Sequence, residues 1–243
     1  MRITYYHFSS VDSTNSWAKR RKNEFGLDEF AVITSDEQTQ GRGRFMRAWH
    51  SPKNNLYITF SFFDASLPPF FFSQIAALAL VEVLHHEGIF AKIKWPNDLL
   101  VQDKKIAGML TEIESVNSHR LIILGIGLNV NMTSDDLVHI PKAATSMKCE
   151  TGKNHTLSSI QDLLVKKFLS FIEEAKKTGI NSFQKIWHEK ISWMLSKEIE
   201  VQQHEKMIRG CISSIEKDGS LLLLLDDGTK HTLLSGDLVR ISQ

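Results

Sequence analysis

Residues 94–108 read KWPNDLLVQDKKIAG, and this stretch predicts a β-hairpin whose first arm is interrupted. Two apolar pieces flank the WPND motif, in which Pro96 removes a hydrogen-bond donor from the strand ladder. A polar turn follows, and residues 106–113 return as the second arm. The interruption leaves Asn97 and Asp98 where their side chains can face a ligand or a metal ion.

Lys105 begins the second arm and is followed by the small residues Ala107 and Gly108. Read by itself, a lysine in a polar turn is one more solvated surface residue. The small neighbours leave room for a ligand, however, and an ammonium held over a pocket would attract an anion. Both interpretations are open at this point.

Strands and helices on either side of the hairpin predict a mixed α/β (α+β) domain. The strand candidates are rich in β-branched and aromatic residues, and the helix candidates have apolar positions at helical spacing. A helix capped by Asp12 or Ser13 is expected to run to about residue 25, with Gly26 as its stop. The strand candidates are residues 3–8, 30–34, 56–63, 91–94, 99–102, 106–113 and 121–130, and the other helices are 70–86, about 158–177 and 182–194.

The character of the sequence changes after Leu195. Short strand candidates follow one another, with Asp-Gly pairs at 218–219 and 227–228 supplying tight turns. Such a run predicts a small β-barrel, so we expect an α/β domain at residues 1–195 and a second domain at 196–243. The candidate strands of the barrel are residues 198–202, 207–215, 220–225, 229–234 and 238–241.

A loop rich in arginine and glycine occupies residues 38–49, QTQGRGRFMRAW. Glycines allow backbone N–H groups to approach a ligand closely, and guanidinium groups bind phosphate or carboxylate with two hydrogen bonds. Arg42, Arg44 and Arg47 therefore favour a compact polyanion such as a triphosphate. A solvated basic loop explains GRGR alone equally well, whereas RNA-binding glycine–arginine tracts repeat many times and this one does not.

Gly125 and Gly127 lie inside an apolar strand, in the sequence GIGLNVN. Glycine weakens a strand unless something needs the space that it leaves. A GxG pattern alone is weak evidence, and the downstream spacing of a dinucleotide site is missing. Taken alone, these glycines favour a packing explanation over a ligand site.

The composition argues against binding to DNA or to a membrane. The 243 residues carry a net charge of +1, so no global basic field attracts nucleic acid or anionic lipid.

Cys149 and Cys211 lie far apart, which is typical of reduced thiols in the cytoplasm. The N-terminus lacks the pattern of a secretory signal. The apolar stretch 70–84 is shorter than the roughly 20 residues that span a bilayer, and predicts a core helix.

The order and spacing of these motifs resemble the biotin–protein ligase family, in its short form without an N-terminal DNA-binding domain. The combination of KWPND and a closely following KxAG is highly specific. The resemblance covers the whole chain and implies a catalytic domain like that of class II aminoacyl-tRNA synthetases, followed by an SH3-like barrel. Its motifs are STN at 13–15, QTQGRGR at 38–44 with Arg47 and Trp49, KWPND at 94–98, KIAG at 105–108, GIGLN at 125–129 and ATS at 144–146.

The resemblance implies that the chain activates biotin with ATP and Mg²⁺ as biotinyl-5′-AMP. It then transfers biotin to a lysine of a biotin carboxyl carrier domain, as a monomer or weak homodimer. Lys105, Arg44 and Asp98 would be catalytic, with Asp98 either orienting or deprotonating the acceptor lysine or holding Mg²⁺. The implied biotin-binding residues are Ser13, Thr14, Asn15, Gln38, Gly108, Gly125 and Gly127, and those for ATP or the adenylate are Arg42, Arg44, Arg47, Trp49, Asn97, Lys105 and Asn129.

The chain departs from the family pattern in the arginine loop, where Phe45 and Met46 replace an arginine and a glycine, and at His50, where an aromatic residue is common.

Three alternative functions remain. A lipoate or octanoate ligase shares the fold and the lysine but not the GRGR loop, KWPND and terminal barrel. A repressor needs more than the dozen residues before Ser13. A module that only binds biotin would not need Lys105 and three arginines.

Overall fold

The computed structural model describes residues 1–203 and 205–242, in two sheets with helices packed around the first. The helices are α1 (Thr14–Arg20), α2 (Pro69–His86), α3 (Ser134–Leu137), α4 (Met147–Thr151), α5 (Leu157–Thr178) and α6 (Asn181–Ile191). The strands of the first sheet are β1 (Arg2–Phe8), β2 (Glu29–Ser35), β3 (Leu56–Phe63), β4 (Lys92–Lys94), β5 (Asp98–Val101), β6 (Lys104–Val116) and β7 (His119–Leu128). The second sheet contains β8 (Glu198–Gln203), β9 (Lys206–Ile215), β10 (Leu221–Leu224), β11 (Lys230–Leu233) and β12 (Asp237–Ile241).

The first sheet is mixed, in the order β1-β2-β3-β7-β6-β5-β4. β1 and β2 are parallel, and every other neighbouring pair is antiparallel. Because β5 is short, it pairs only with the first residues of β6, from Lys104 to Gly108. The hairpin of β5 and β6 is thus confirmed, but its second arm extends beyond residue 113 to Val116. The prediction of one interrupted first arm was wrong, because β4 and β5 pair antiparallel with each other and WPND is the turn between them.

Helix α2 is the central core helix. Its length and composition would suffice to cross a membrane, yet 67% of it is buried inside the structure. It packs with α5 against β3, β6 and β7, where Phe71, Phe72 and Leu80 are fully buried. The predicted core helix is therefore confirmed.

The prediction for the first helix was wrong at its C-terminus. Helix α1 ends at Arg20 and not near residue 25, because the N–H of Arg21 already turns back to the carbonyl groups of Trp17 and Ala18. The chain then folds over so that Phe25 is buried, with its ring 6.4 Å from that of Trp17. Burial of one aromatic side chain thus overrides local helix propensity.

The second sheet is antiparallel, in the order β11-β10-β9-β8-β12, and confirms the five predicted strands. Its buried residues, such as Val201 and Leu223, belong to the same apolar cluster as the core of the first sheet. Trp95 Nε1 also donates a hydrogen bond of 3.0 Å to the carbonyl of Gly219. The first-sheet hairpin is therefore anchored on the second sheet. His204 and Gln243 lie outside the described residues.

Candidate active site

A cavity of about 800 Å³ lies between the two sheets, and every site residue predicted from the sequence lines it. Its walls are the arginine loop, the end of β4, the start of β6, the glycines of β7 and the start of α1. Residues 139–144 and 236–238 complete it. Elements that are far apart in the sequence therefore meet at this cavity. The roles of the site residues in it remain predictions.

The polar end of the cavity is a buried hydrogen-bonded network at the start of α1. The N–H of Thr14 donates to Gln38 Oε1 at 2.9 Å. Thr59 Oγ1 lies 2.8 Å from Thr14 Oγ1 and donates to Asn15 Oδ1 at 2.7 Å. The sequence analysis missed Thr59, which lies in an ordinary strand pattern. Ser13 caps the helix by accepting a hydrogen bond from the N–H of Ser16.

The two glycines of β7 are required by close side-chain packing. A Cβ at Gly125 would overlap the amide oxygen of Asn15, and a Cβ at Gly127 would lie 2.5 Å from Trp49 Cε2. The packing explanation is therefore confirmed, but the side chains that pack there belong to the predicted site. Asn129, at the end of the same motif, donates to the carbonyl of Thr145 at 2.9 Å. It connects β7 to the loop that leads into α4.

The arginine loop closes on itself as a narrow turn. Gly43 N–H donates to the Arg47 carbonyl at 2.7 Å, and Trp49 N–H donates to the Gly41 carbonyl at 2.8 Å. At its tip, residues 45 and 46 have φ angles of 54° and 58°, a left-handed conformation that favours glycine. Both tip side chains are exposed.

The three arginines have different partners. Arg42 Nη2 lies 3.1 Å from Glu112 Oε2 on β6. Arg47 forms an ion pair with Asp237 at the start of β12. In the described residues no carboxylate pairs with Arg44, whose guanidinium lies 4.9 Å from the ring centroid of Phe45. Burial lowers the pKa of Arg44, and the charge of Asp98 acts in the opposite direction. Arg44 is thus the loop cation that is free to meet an anion.

The predicted lysine and carboxylate of the hairpin form a direct pair. Lys105 Nζ lies 2.6 Å from Asp98 Oδ1 and 4.9 Å from the centroid of the Trp49 ring. The functional interpretation of Lys105 is favoured, since its ammonium faces the cavity and not open solvent. Asn97, next to Asp98, donates from its amide to the carbonyl of Met109. The turn formed by WPND between β4 and β5 is therefore held in place by β6.

Two further lysines contribute to a cationic field that the sequence analysis missed. Burial lowers the pKa of Lys94, with Asp98 acting in the opposite direction. Burial also lowers the pKa of Lys142, and the positive charges of Arg47 and Lys94 add to this effect. Lys94 directly precedes the predicted hairpin break, whereas Lys142 lies outside every motif. The concentration of positive charge suits a phosphate-rich ligand.

Among residues 1–203 and 205–242 no group of three His, Cys, Asp or Glu side chains could hold a metal ion. The carboxylates that line the cavity include Asp98 and Asp237, and both are paired with cations. A magnesium ion would therefore need phosphate oxygens as its main ligands, which is its usual arrangement with nucleotides.

Comparisons with known proteins agree with this geometry. Residues 7–129 match the biotin/lipoate A/B protein ligase family. The biotin–[acetyl-CoA-carboxylase] ligase of Paracoccus denitrificans is 30% identical over 221 residues, which cover 88% of this chain and 91% of that protein. The bifunctional ligase/repressor BirA of Bacillus spizizenii is 29% identical over 234 residues, covering 94% and 71%. The structure of biotin protein ligase from Aquifex aeolicus in complex with biotin and ATP has a TM-score of 0.76 at 26% identity, covering 100% of this chain and 99% of that one.

Proposed function

The chain belongs to the biotin/lipoate A/B protein ligase family and is an ATP-dependent biotin–protein ligase, and we propose that it attaches biotin in two steps to one lysine of a carboxylase carrier domain. In the first step biotin and ATP form biotinyl-5′-AMP, and in the second the acceptor lysine takes the biotinyl group. The observation that carries the proposal is the pair of Lys105 and Asp98, which faces the cavity that also contains Arg44.

Adenylation requires that two anions meet. An oxygen of the biotin carboxylate attacks the α-phosphorus of ATP, the bond to the bridging oxygen breaks, and pyrophosphate leaves with its electrons. Lys105 between carboxylate and α-phosphate offsets the repulsion by on the order of 1–4 kcal/mol at 4 Å. Arg44, which has no carboxylate partner in the described chain, faces the growing charge of the leaving pyrophosphate.

The second step requires an uncharged lysine amine from the acceptor. When Lys105 turns to the ligand anions it leaves Asp98, to which it is paired at 2.6 Å. Asp98 then accepts a proton from the incoming ammonium. The amine attacks the carbonyl carbon of the anhydride, and the bond from that carbon to the bridging oxygen breaks. AMP leaves with the electron pair, and its phosphate takes the proton that the nitrogen loses as the amide forms. The same lysine thus serves adenylation and releases the base for transfer.

Magnesium enters the proposal as a partner of ATP. It would supply charge neutralisation at the phosphates. The cavity fits an ion held by the triphosphate and water, with Asp98 as the protein carboxylate that would join it. Asp98 has two candidate roles, and the structure favours the base, because its present partner is a lysine that ligand binding would draw away.

We assign catalysis to residues 1–195, with the fold of a class II synthetase, and an SH3-like accessory role to residues 196–243. The ion pair between Arg47 and Asp237 supports this role, since it ties the arginine loop to the second sheet. We place the reaction in the cytoplasm, a proposal supported by the free cysteines Cys149 and Cys211.

The test has two arms with the purified full chain. Pyrophosphate exchange into ATP should depend on biotin and should not respond to lipoate, the substrate of the other branch of the family. A biotin carrier domain of a bacterial acetyl-CoA carboxylase should become labelled, and the same domain with its target lysine replaced by arginine should not. Exchange driven by lipoate, or equal labelling of both domains, would refute the proposal.

A further inference from the structure

One carboxylate behind the wall of the reaction cavity meets two of the predicted site residues. Glu112, on β6, is not among the residues that line the cavity, and its side chain is 19% exposed. Its Oε2 accepts a hydrogen bond from Asn15 Nδ2 at 3.1 Å and lies 3.1 Å from Arg42 Nη2. Its Oε1 lies 3.4 Å from Lys19 Nζ on α1. Glu112 therefore joins α1, β6 and the arginine loop at one point.

The amide of Asn15 is held from three directions. Besides its bond to Glu112, its Nδ2 donates to the carbonyl of Leu110 at 3.2 Å, and its Oδ1 accepts from Thr59 at 2.7 Å. Both N–H groups of the amide are therefore used within the protein. The side chain packs against Gly125, where a Cβ would overlap the amide oxygen. Because Asn15 lines the cavity, the shape of that wall depends on its bond to Glu112.

Arg42 shares its partner with Asn15. The guanidinium and the amide donate to the same carboxylate oxygen, so the two groups are neighbours at the polar end of the cavity. In the described part of the chain, Glu112 is the only carboxylate that pairs with Arg42. The lysine of the hairpin, Lys105, instead pairs with Asp98. The place of Arg42 on the cavity wall is thus fixed at the Asn15 end, away from the hairpin.

We propose that Glu112 is a positioning residue for biotin, which orients Asn15 and Arg42 without touching the ligand. A carboxylate suits this place because it only accepts hydrogen bonds, and three donors converge on it. The inference assigns Arg42 to the biotin end of the cavity, whereas the sequence predicted a contact with ATP or the adenylate. It deepens the proposed function and rests on biotin as the substrate.

The test measures biotin-dependent pyrophosphate exchange by the full chain. Glu112→Gln turns one acceptor oxygen into an NH₂ group that faces three donors, so Asn15 and Arg42 lose their shared partner. We expect the KM for biotin to rise about tenfold, the scale of one hydrogen bond to a charged group. The KM for ATP and kcat should stay within about twofold of wild type. A KM does not depend on how much of the enzyme is folded, and the melting temperature is measured in parallel.

Three further variants sharpen the test. Glu114→Gln is the matched control, because Glu114 lies two residues on along the same face of β6 and pairs only with lysines of α1. Its two KM values should stay within about twofold of wild type. Glu112→Asp keeps a carboxylate and should raise the KM for biotin less than Glu112→Gln does. In an Asn15→Ala background, Glu112→Gln should raise this KM by about threefold or less, because one of its two routes is gone.

The outcomes separate this inference from the proposed function. An unchanged or lower KM for biotin in Glu112→Gln would overturn the positioning role, and a lower melting temperature alone would show that Glu112 serves folding. An equal rise in the KM for ATP, or an equal effect of Glu114→Gln, would overturn it too. A tenfold rise that persists in the Asn15→Ala background would show that Glu112 does not act through Asn15. A wild-type enzyme without biotin-dependent exchange would refute the proposed function and this inference together.

Discussion

Replacing Lys105 with alanine removes the ammonium that lies 2.6 Å from Asp98 Oδ1. In the empty enzyme Asp98 loses its ion-pair partner, and in the complex the carboxylate of biotin meets the α-phosphate without a cation between them. Loss of one preorganised electrostatic group costs about 10²–10³-fold in rate, or about 2.7–4 kcal/mol of transition-state stabilisation. The guanidinium of Arg44 lies 4.9 Å from the ring centroid of Phe45 and does not occupy this position.

The assay is biotin-dependent pyrophosphate exchange at saturating biotin and ATP, with the melting temperature measured in parallel. Lys104→Ala is the matched control, because this neighbouring lysine begins the same strand and is exposed. We expect Lys105→Ala to exchange at about 0.1–1% of the wild-type rate, and Lys104→Ala to remain close to wild type. Pyrophosphate exchange by Lys105→Ala at the wild-type rate would show that Lys105 has no part in adenylation. An equal loss of exchange rate in both variants would show that the positive charge of this region matters and that the position of Lys105 does not.

Three further predictions follow from the loop and the glycines. Arg44→Gly should still release pyrophosphate but should retain biotinyl-adenylate less well than the wild type. The released adenylate should then biotinylate an unrelated lysine-rich protein, which a blot for biotin detects. Labelling no stronger than with wild type would contradict this. Asp237→Asn breaks the ion pair with Arg47 and, without ligands, should raise the rate at which trypsin cleaves the arginine loop by up to about fivefold. Biotin plus ATP should restore protection. Equal cleavage of the variant and the wild type would show that this ion pair does not hold the loop. Gly125→Ala places a Cβ against the amide of Asn15 and should destabilise the fold by about 1–3 kcal/mol, visible as a lower melting temperature.

Local chemistry made the strands and the hairpin predictable. Alternating apolar residues and breaks at proline and glycine define the strands from a few neighbours at a time. The site residues were predictable only through the order and spacing of the motifs, which resemble one family. Taken alone, Lys105, the arginine loop and the glycines each had another explanation. All of them line one cavity. Short helices such as α3, with its capping box at Thr133 and Asp136, carried a local signal too weak to separate from a turn.

The partners of these residues could not be predicted, because they depend on distant parts of the chain. Arg42 pairs with Glu112 at a sequence separation of 70, and Arg47 pairs with Asp237 at a separation of 190. Charge at residues 42–47 indicates an anion site, but which arginine remains for the ligand is decided by the tertiary fold. Lys142 reaches the same cavity from outside every motif.

The two ion pairs limit which part of the arginine loop can move when a ligand binds. Arg42 is held on β6 and Arg47 on the second sheet, so both ends of the turn are anchored. Arg44 lies between the anchors, beside an exposed tip whose two residues have left-handed backbone conformations. We expect movement on ligand binding to be confined to this tip and not to involve the whole segment 38–49. A short excursion by Arg44 would then suffice to cover the anhydride, and the exposed aromatic ring of Phe45 would move with it.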